Sequence, residues 1–465
     1  MKIYNTLSRK IEEIKTLENG VVKIYTCGPT VYNYVHIGNL RTFIFEDFLE
    51  KTFKFLGYKV IRVMNITDVG HLTSDADEGE DKIEIGAQRE GKNAWDIASF
   101  YTNAFIENMK ELNCDIPKIL PKATDHIKEM IDLIKKLEEK GYTYKTSDGI
   151  YYDTSKFKDY HKLMGESHIK GIKEGARIEF NKEKKNPTDF ALWKFSPKDK
   201  KRQMEWDSPW GVGFPGWHIE CSAMSMKYLG ETLDIHCGGI DHIQVHHTNE
   251  IAQSEGATGK PFVNYWAHAE FLVLSQNEKM SKSTGNFITL KSLKDRGFSP
   301  LHYRYFCSQA HYRKQLEFSF EALESAKNGY NHLKNSIAEL MEGANQNDIA
   351  DCDKKSNYYI DFVEAISNDL NIPRTLAVVW EVIRDKKLKN IEKLSLIKKF
   401  DEVLSLDLLK KDEIIIPGDI LELAKKRDEF KKTKDFKKAD GIREILKQKG
   451  YIIEDTLKGP RIKKL

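Results

Sequence analysis

The chain reads Thr26-Cys27-Gly28-Pro29-Thr30-Val31-Tyr32-Asn33-Tyr34-Val35-His36-Ile37-Gly38-Asn39-Leu40-Arg41 between a segment typical of a strand and one typical of a helix. Residues 21–25 are β-branched, aromatic or basic, which suits a buried strand. Apolar residues then recur at helical spacing from Leu40 to Leu56, and Gly57 stands where a helix is expected to end. Residues 59–64 predict a second strand, so the region is predicted to be a βαβ unit with a right-handed crossover.

In sheets built from such units, ligands bind beyond the carboxyl ends of the strands. The loop after the first strand carries a thiol, Cys27, and a histidine, His36. Gly38 and Asn39 open the predicted helix, where unpaired N–H groups and the positive end of the helix dipole can receive a phosphate. Taken alone, this stretch is equally compatible with an ordinary turn that holds a buried cysteine and a surface histidine.

Length and composition predict a cytoplasmic protein of several domains. The chain has 465 residues, of which 40% are hydrophobic and 31% charged. No apolar run approaches the roughly 18 residues that span a bilayer, and the first ten residues lack the apolar core of a signal peptide. The six cysteines are irregularly spaced, which favours free thiols or metal ligands over disulfides.

Charge is unevenly distributed along the chain. The net charge is only +3, but residues 421–465 contain 15 Lys and Arg against 8 Asp and Glu. A basic tail of this kind suggests a polyanionic partner, although a solvated lysine-rich helix explains it equally well.

Composition and periodicity divide the chain into six predicted regions. Residues 1–115 and 217–275 have an α/β pattern, and 116–216 between them predict an insertion with its own small sheet. Residues 276–330 form a linking region with a lysine-containing loop, 331–405 a helical bundle, and 406–465 a small C-terminal domain. Helices are expected at 94–112, 125–140 and 244–255, the last ending at Gly256, and strands at 232–236 and 263–266.

One group of residues has the chemistry of a metal site. His246 and Glu250 are four residues apart, so on a helix they share one face and can hold one zinc ion. Cys27 and Cys221 would complete a four-coordinate set if the insertion loops out of the α/β domain. A surface His–Glu pair and two buried thiols are the alternative.

A second group has the chemistry of a nucleotide site. His36, Gly38 and Asn39 lie at a helix start, and Lys279-Met-Ser-Lys282-Ser lies on a hydrophilic loop. Two lysines beside small polar residues suit a mobile loop that closes on a triphosphate, because positioned cations stabilise the charge of a transferring phosphate. Either motif alone could be an ordinary polar loop.

Four motifs together resemble the cysteinyl-tRNA synthetase family of class I aminoacyl-tRNA synthetases. They begin at Cys27 (Cys-Gly-Pro-Thr-Val-Tyr), Asn65 (Asn-Ile-Thr-Asp-Val-Gly-His), Gly216 (Gly-Trp-His-Ile-Glu-Cys-Ser-Ala-Met) and Lys279 (Lys-Met-Ser-Lys-Ser). The resemblance runs from Tyr4 to about Pro460. Three positions depart from the commonest pattern of the class or the family: Asn39 replaces His, as is usual in cysteine-type members, Cys237 replaces Gly, and Thr248 replaces Glu.

The resemblance implies a Rossmann-type doubly wound parallel sheet with a connective insertion, followed by an α-helical bundle and a small C-terminal tRNA-binding domain. It implies one Zn²⁺ held by Cys27, Cys221, His246 and Glu250, which binds the thiolate of the substrate cysteine. Cys237 would be a further thiol near this metal. The implied substrate contacts are Trp217 as a lid, Thr67 or Asp241 at the α-amino group, and a histidine floor of His36, His71, His218 and His236.

The implied reaction joins L-cysteine to ATP with Mg²⁺, giving cysteinyl-adenylate, and then transfers cysteine to the 3′ end of tRNA(Cys). Lys282, Lys279 and His36 would be catalytic, and ATP would be bound by these three residues together with Gly38 and Asn39. The basic tail, residues 406–465, would be an anticodon-binding domain, with Arg427, Asp435, Asp440 and Asp455 as candidate tRNA contacts. The enzyme is expected to be a monomer that does not bind membranes.

Three alternatives are considered. An ATP-dependent cysteine ligase that acts on an aminosugar would share the metal and ATP sites but lack the C-terminal tRNA domain. A non-catalytic RNA-binding paralogue would have no need of the lysine loop and the metal ligands. A zinc hydrolase would need an activated water and a nearby general base, and would leave the ATP motifs without a role.

Overall fold

The computed structural model describes residues 1–70, 81–164, 182–197, 201–274, 278–279, 287–342, 349–410, 417–456 and 459–464. The chain divides into two compact units, Met1–Leu409 and Lys410–Leu465. The finer division into six regions stays a prediction. Within the described ranges, every helix is too short or too polar to cross a membrane.

The predicted βαβ unit is confirmed. It follows a short antiparallel pair, and the elements in order are β1 (Lys2–Asn5), β2 (Lys10–Glu13), β3 (Val21–Thr26), α1 (Ile37–Phe55) and β4 (Lys59–Met64). Helix α1 begins where it does because His36 caps it: His36 Nδ1 accepts a hydrogen bond of 3.1 Å from the N–H of Asn39. The Asn39 side chain in turn accepts from the N–H of His36 at 3.3 Å, so two backbone donors are satisfied.

The predicted insertion contains its own sheet, as expected. Two helices lead into this region, α2 (Lys82–Glu90) and α3 (Ala94–Glu111), and α4 (Ile127–Glu139) precedes the first strand. The antiparallel sheet then follows in the order β5 (Thr143–Lys145), β6 (Gly149–Tyr152), β7 (Phe190–Phe195) and β8 (Gly213–Pro215).

The second half of the α/β region completes a parallel sheet. It consists of α5 (Trp217–Leu229), β9 (Leu233–Gly239), α6 (His246–Thr258) and β10 (Val263–Ala269). The strand order is β10-β9-β3-β4 and all pairs are parallel. The carboxyl ends of all four strands therefore lie at one edge of the sheet.

The predicted end of helix α6 at Gly256 is wrong. The helix continues to Thr258 and ends at Gly259, whose φ of +74° is the left-handed conformation that favours glycine at a helix end. Gly256 serves another purpose, because a Cβ atom there would lie 2.9 Å from the hydroxyl of Tyr152. A close helix–sheet contact, rather than a helix end, explains this glycine.

The rest of the larger unit is mainly helical. Its elements are β11 (Leu272–Leu274), β12 (Glu278–Lys279), α7 (Leu290–Asp295), α8 (Pro300–Ser308), β13 (Leu316–Phe318), α9 (Phe320–Leu340), α10 (Asn357–Ser367), α11 (Ile372–Arg384) and α12 (Asn390–Leu404). These helices share one hydrophobic core with α1, in which Phe362 stacks on Phe400 at 4.0 Å. Arg304 of α8 is fully buried, pairs with Asp47 of α1 at 2.7 Å and donates to the carbonyl of Leu404.

The smaller unit is a helical hairpin followed by a strand hairpin. Its elements are α13 (Gly418–Lys432), α14 (Phe436–Gln448), β14 (Tyr451–Thr456) and β15 (Gly459–Lys464). Ile420, Leu446 and Ile453 form its core. Arg427 makes two hydrogen bonds to Asp455, of 2.9 and 3.0 Å, so these two candidate tRNA contacts bind each other. Their contact with RNA stays a prediction.

Candidate functional site

The four residues of the predicted metal set converge at the carboxyl edge of the parallel sheet. Cys27 directly follows β3, Cys221 lies in α5, and His246 and Glu250 lie one turn apart in α6. All four are buried, and their ligand atoms lie within 4.8 Å of one another. His246 Nε2 is 3.1 Å from Glu250 Oε1, and Cys27 Sγ is 4.0 Å from the same oxygen. Two sulfurs, one imidazole nitrogen and one carboxylate form a donor set that suits a tetrahedral metal ion.

The electrostatics of this cluster also fit a cation. Burial raises the pKa of the Cys221 thiol, but the hydrogen bond with Cys27 and the proximity of His246 outweigh it, bringing that pKa to about 7. Burial likewise raises the pKa of Glu250, but His236 and His246 outweigh it and lower that pKa to about 2. Burial lowers the pKa of His246, yet Cys221 and Glu250 raise it to about 10. Burial and the neighbouring Cys221 raise the pKa of the Cys27 thiol. Glu250 therefore attracts positive charge into a buried site, which the protonated His246 or a bound metal ion can supply.

Histidines that are not among the predicted metal ligands lie around the cluster. His247 Nε2 lies 3.3 Å from Cys27 Sγ, and its Nδ1 lies 2.8 Å from His268 Nε2. His236, predicted as a substrate contact, lies with its Nε2 3.1 Å from Glu250 Oε2. His247 directly follows a predicted ligand, which was a usable signal, whereas no spacing in the sequence relates His268 to Cys27.

Trp217 and His218 flank the imidazole of His246. The Trp217 ring lies 4.5 Å from the His246 ring, centroid to centroid, as a residue covering the cluster would. His218 Nδ1 lies 2.9 Å from His246 Nδ1, so a hydrogen bond between the two rings leaves His246 Nε2 directed at Glu250. Outer contacts of this kind orient the imidazole ligands of metal sites.

A buried chain of hydrogen bonds joins the segments that carry the two cysteines. The N–H of Gly28, next to Cys27, donates to the Asn65 side chain at 2.9 Å. Asn65 Nδ2 donates to Thr67 Oγ1 at 2.9 Å, and Thr67 Oγ1 donates to Glu220 Oε2 at 3.0 Å. Glu220 directly precedes Cys221 in α5. Thr67, predicted as a possible contact to the substrate amino group, is therefore part of the scaffold between the two thiols.

Three of the predicted nucleotide residues line one small cleft. His36, Gly38 and Asn39 line a cavity of about 70 Å³ together with Gly239 and Asp241. Asp241, the second candidate for the amino-group contact, thus lies beside the predicted phosphate-binding residues. His36 lines this cleft, whereas His218 contacts His246 and His236 contacts Glu250 in the candidate metal cluster. The histidine floor stays a prediction.

Four of the predicted residues have other outcomes. His71, Lys282 and the side chain of Lys279 lie outside the described residues. Cys237 is fully buried in β9, where it packs in the apolar cluster that contains Val22 and Phe45. Since side chains alternate along a strand, Cys237 points away from the face on which His236 lies.

Comparison with known proteins assigns the family. Residues 13–328 match the model of the class I (C) tRNA synthetase catalytic domain. The chain is 47% identical to a cysteine–tRNA ligase of Treponema denticola, with 100% of both chains covered. It is also 47% identical to cysteine–tRNA ligase 1 of Burkholderia lata, covering 99% of this chain and 96% of the relative.

Among solved structures, the fold is similar to that of Mycobacterium tuberculosis methionyl-tRNA synthetase in complex with methionyl-adenylate. The TM-score is 0.54 at 13% identity, with 83% of this chain and 90% of that chain covered. This likeness concerns the fold alone and agrees with the predicted parallel-sheet class. Sequence identity over the full length, together with the matched catalytic domain, shows that the chain belongs to the cysteine–tRNA ligases of the class I aminoacyl-tRNA synthetases.

Proposed function

We propose that this enzyme activates L-cysteine with ATP and transfers it to the 3′ end of tRNA(Cys). The observation that carries the proposal is the buried thiol, imidazole and carboxylate cluster, because its first ligand, Cys27, begins the loop that ends at His36 and leads into Asn39 in the first turn of α1. One loop would thus contact both the amino acid and the nucleotide. The aminosugar alternative is not supported, since the full-length relatives are cysteine–tRNA ligases.

We propose Zn²⁺ as the resident ion, held by Cys27, Cys221, His246 and Glu250. When bound, it would supply a Lewis acid that prefers the soft thiolate of cysteine to the hydroxyl of serine. The protein residues around it orient and enclose the substrate: His218 holds the His246 ring, and Trp217 covers the cluster. A site that uses the thiol itself for recognition can reject serine without a separate editing step.

In the first step, the carboxylate of cysteine attacks the α-phosphorus of ATP, and the bond to the β,γ-phosphates breaks to release pyrophosphate. The N-terminus of α1 and His36 would hold phosphate oxygens, with Mg²⁺ entering alongside ATP. Lys279 and Lys282 would neutralise the charge that builds on the departing pyrophosphate. The rate would come from positioning and electrostatic stabilisation, because no side chain need form a covalent bond.

In the second step, a ribose hydroxyl of the terminal tRNA adenosine attacks the acyl carbon and displaces AMP. The basic unit Lys410–Leu465 would hold the tRNA through phosphate contacts. A monomeric enzyme that acts in the cytoplasm remains our expectation.

Exchange of labelled pyrophosphate into ATP, with cysteine or serine as the added amino acid, tests this proposal. We expect exchange with cysteine, little with serine, and charging of tRNA(Cys) by the same preparation. Zinc-loaded enzyme that shows no cysteine-dependent exchange would contradict the assignment. Cys221→Ser is expected to lose metal and exchange together, whereas Cys307→Ser, which replaces a buried thiol outside the cluster, is the matched control.

A further inference from the structure

A second set of ligands overlaps the predicted metal set. Cys27, His236, His247 and Glu250 are all buried, and their ligand atoms also lie within 4.8 Å of one another. Cys27 and Glu250 belong to both sets, whereas His236 and His247 replace Cys221 and His246. We call the set with Cys221 the first position and the set with His236 the second position.

The distances in the second position suit a tetrahedral ion. Metal–ligand bonds of about 2.0–2.3 Å place neighbouring ligand atoms roughly 3.3–3.8 Å apart. Cys27 Sγ to His247 Nε2 is 3.3 Å, His236 Nε2 to Glu250 Oε2 is 3.1 Å, and His247 Nε2 to Glu250 Oε1 is 3.9 Å. All four ligand atoms lie within 4.8 Å of one another, so the widest separation must shrink by up to about 1 Å for one ion to bind.

Both histidines of the second position have the outer contacts that orient metal ligands. His247 Nδ1 contacts His268 Nε2 at 2.8 Å, and His268 Nδ1 contacts the hydroxyl of Thr6 at 2.7 Å. His236 Nδ1 contacts the carbonyl of Cys237 at 3.3 Å. In each case the occupied Nδ1 leaves Nε2 directed at the centre of the cluster, as in established metal sites.

The His236 ring is also held in place by its neighbours in the sheet. Trp266 of β10 stacks on it at 4.7 Å, and Tyr25 of β3 meets it edge-on at 5.0 Å. A ligand on a central strand between two aromatic rings loses little freedom when an ion binds. The two carboxylate oxygens of Glu250 are divided, with Oε1 3.1 Å from His246 and Oε2 3.1 Å from His236.

We infer that the cluster offers a divalent transition-metal ion two alternative coordination positions that share Cys27 and Glu250. We expect one ion at a time in these positions, and two Co²⁺ ions per chain, bridged by Cys27 and Glu250, would contradict this. The first position has two sulfur ligands, and the second has one sulfur and two imidazoles, a set suited to zinc or cobalt. The inference concerns metal coordination alone and does not depend on which substrate the enzyme activates.

Cobalt titration of the Cys221→Ala/His246→Ala variant tests the inference, with Co²⁺ alone as the probe. We expect one Co²⁺ per chain in both the wild type and the variant. The sulfur-to-cobalt charge-transfer band of the variant is expected to fall to about half, because one thiolate remains of two. When His236→Ala and His247→Ala are added to this variant, we expect Co²⁺ binding to be abolished. Cys27→Ala alone is expected to abolish Co²⁺ binding by the otherwise wild-type protein. A Cys221→Ala/His246→Ala variant that folds and binds no Co²⁺ would overturn the inference.

Near-ultraviolet circular dichroism shows whether the Cys221→Ala/His246→Ala variant folds. If it does not fold, two other variants test whether the second position binds an ion. Cys221→Ala alone is expected to bind one Co²⁺ with a one-thiolate spectrum. Cys221→Ala/His247→Ala is then expected to bind Co²⁺ about tenfold more weakly or worse, since a ligand of the second position is lost. Equal affinities for these two proteins would show that His247 is not a ligand. Metal content is measured without tRNA or ATP, so failure of the charging assay leaves this result unaffected.

Discussion

Replacing Thr67 by valine distinguishes a residue that contacts substrate from one that positions the metal ligands. Valine has nearly the same shape as threonine but lacks the hydroxyl. In the structure this hydroxyl accepts from Asn65 at 2.9 Å and donates to Glu220 at 3.0 Å, and all three side chains are at most 1% exposed. The change therefore removes two buried hydrogen bonds while leaving the packing almost intact.

The size of the effect follows from the two partners that are left behind. Each buried polar group that loses its partner costs about 1–3 kcal/mol, so the free energy of unfolding should fall by roughly 2–4 kcal/mol if the partners partly rearrange. The chain from Gly28 to Glu220 links the neighbours of Cys27 and Cys221, so its rupture should loosen their spacing. Loss of an outer contact of this kind typically weakens metal binding about 10–100-fold.

Competition between the protein and a chelator for Zn²⁺ measures this affinity directly. Thr67→Ser, which keeps the hydroxyl, is the matched control and is expected to bind Zn²⁺ as the wild type does. We expect Thr67→Val to bind Zn²⁺ more weakly and to show a higher KM for cysteine as a consequence. If Thr67→Val instead raises the KM for cysteine with Zn²⁺ affinity unchanged, Thr67 acts on the substrate and the positioning argument is wrong.

Further expectations concern the core, acid stability, the lysine loop and the smaller unit. Arg304→Met should lower the free energy of unfolding by about 3–5 kcal/mol in urea titrations, because the buried Asp47 loses a partner at 2.7 Å; a change below about 1 kcal/mol would contradict this. Burial raises the pKa of Asp47, but Arg304 and Lys51 outweigh it and hold that pKa below its ordinary value. The carboxylate therefore contributes to the free energy of unfolding above about pH 4, and this contribution is lost as the pH falls through its lowered pKa. Asp47→Asn should make the free energy of unfolding depend less steeply on pH in the acid range. An unchanged slope would refute the pairing. Lys282→Ala should slow pyrophosphate exchange with zinc content unchanged, so a variant that loses zinc as well would contradict a role in ATP chemistry. Truncation after Leu409 should abolish charging of tRNA(Cys) and leave exchange intact, and equal losses of both activities would indicate a structural role for the smaller unit.

Local patterns in the sequence predicted much of the fold. The βαβ unit around Thr26–Arg41 was predicted from periodicity and from Gly57, and helix α3 was predicted at 94–112 against an observed Ala94–Glu111. Such elements depend on residues a few positions apart, which is why they are readable along the chain. Gly256 was misread as a helix end because the hydroxyl of Tyr152, which lies close to it, is about a hundred residues away in sequence.

Some residues of the candidate metal cluster could likewise be predicted from the sequence, whereas others are apparent only in the folded chain. Spacing in the sequence predicts that His246 and Glu250 share a helix face, and the family motifs imply that Cys27 and Cys221 join them. The folded chain adds that His247 contacts the Cys27 thiol, that His268 contacts His247 and His236 contacts Glu250, and that Thr67 bridges the two cysteine-bearing segments. Parallel strands bring their carboxyl ends together from distant parts of the chain, so contacts across that edge depend on strand order and side-chain direction, which local spacing does not encode.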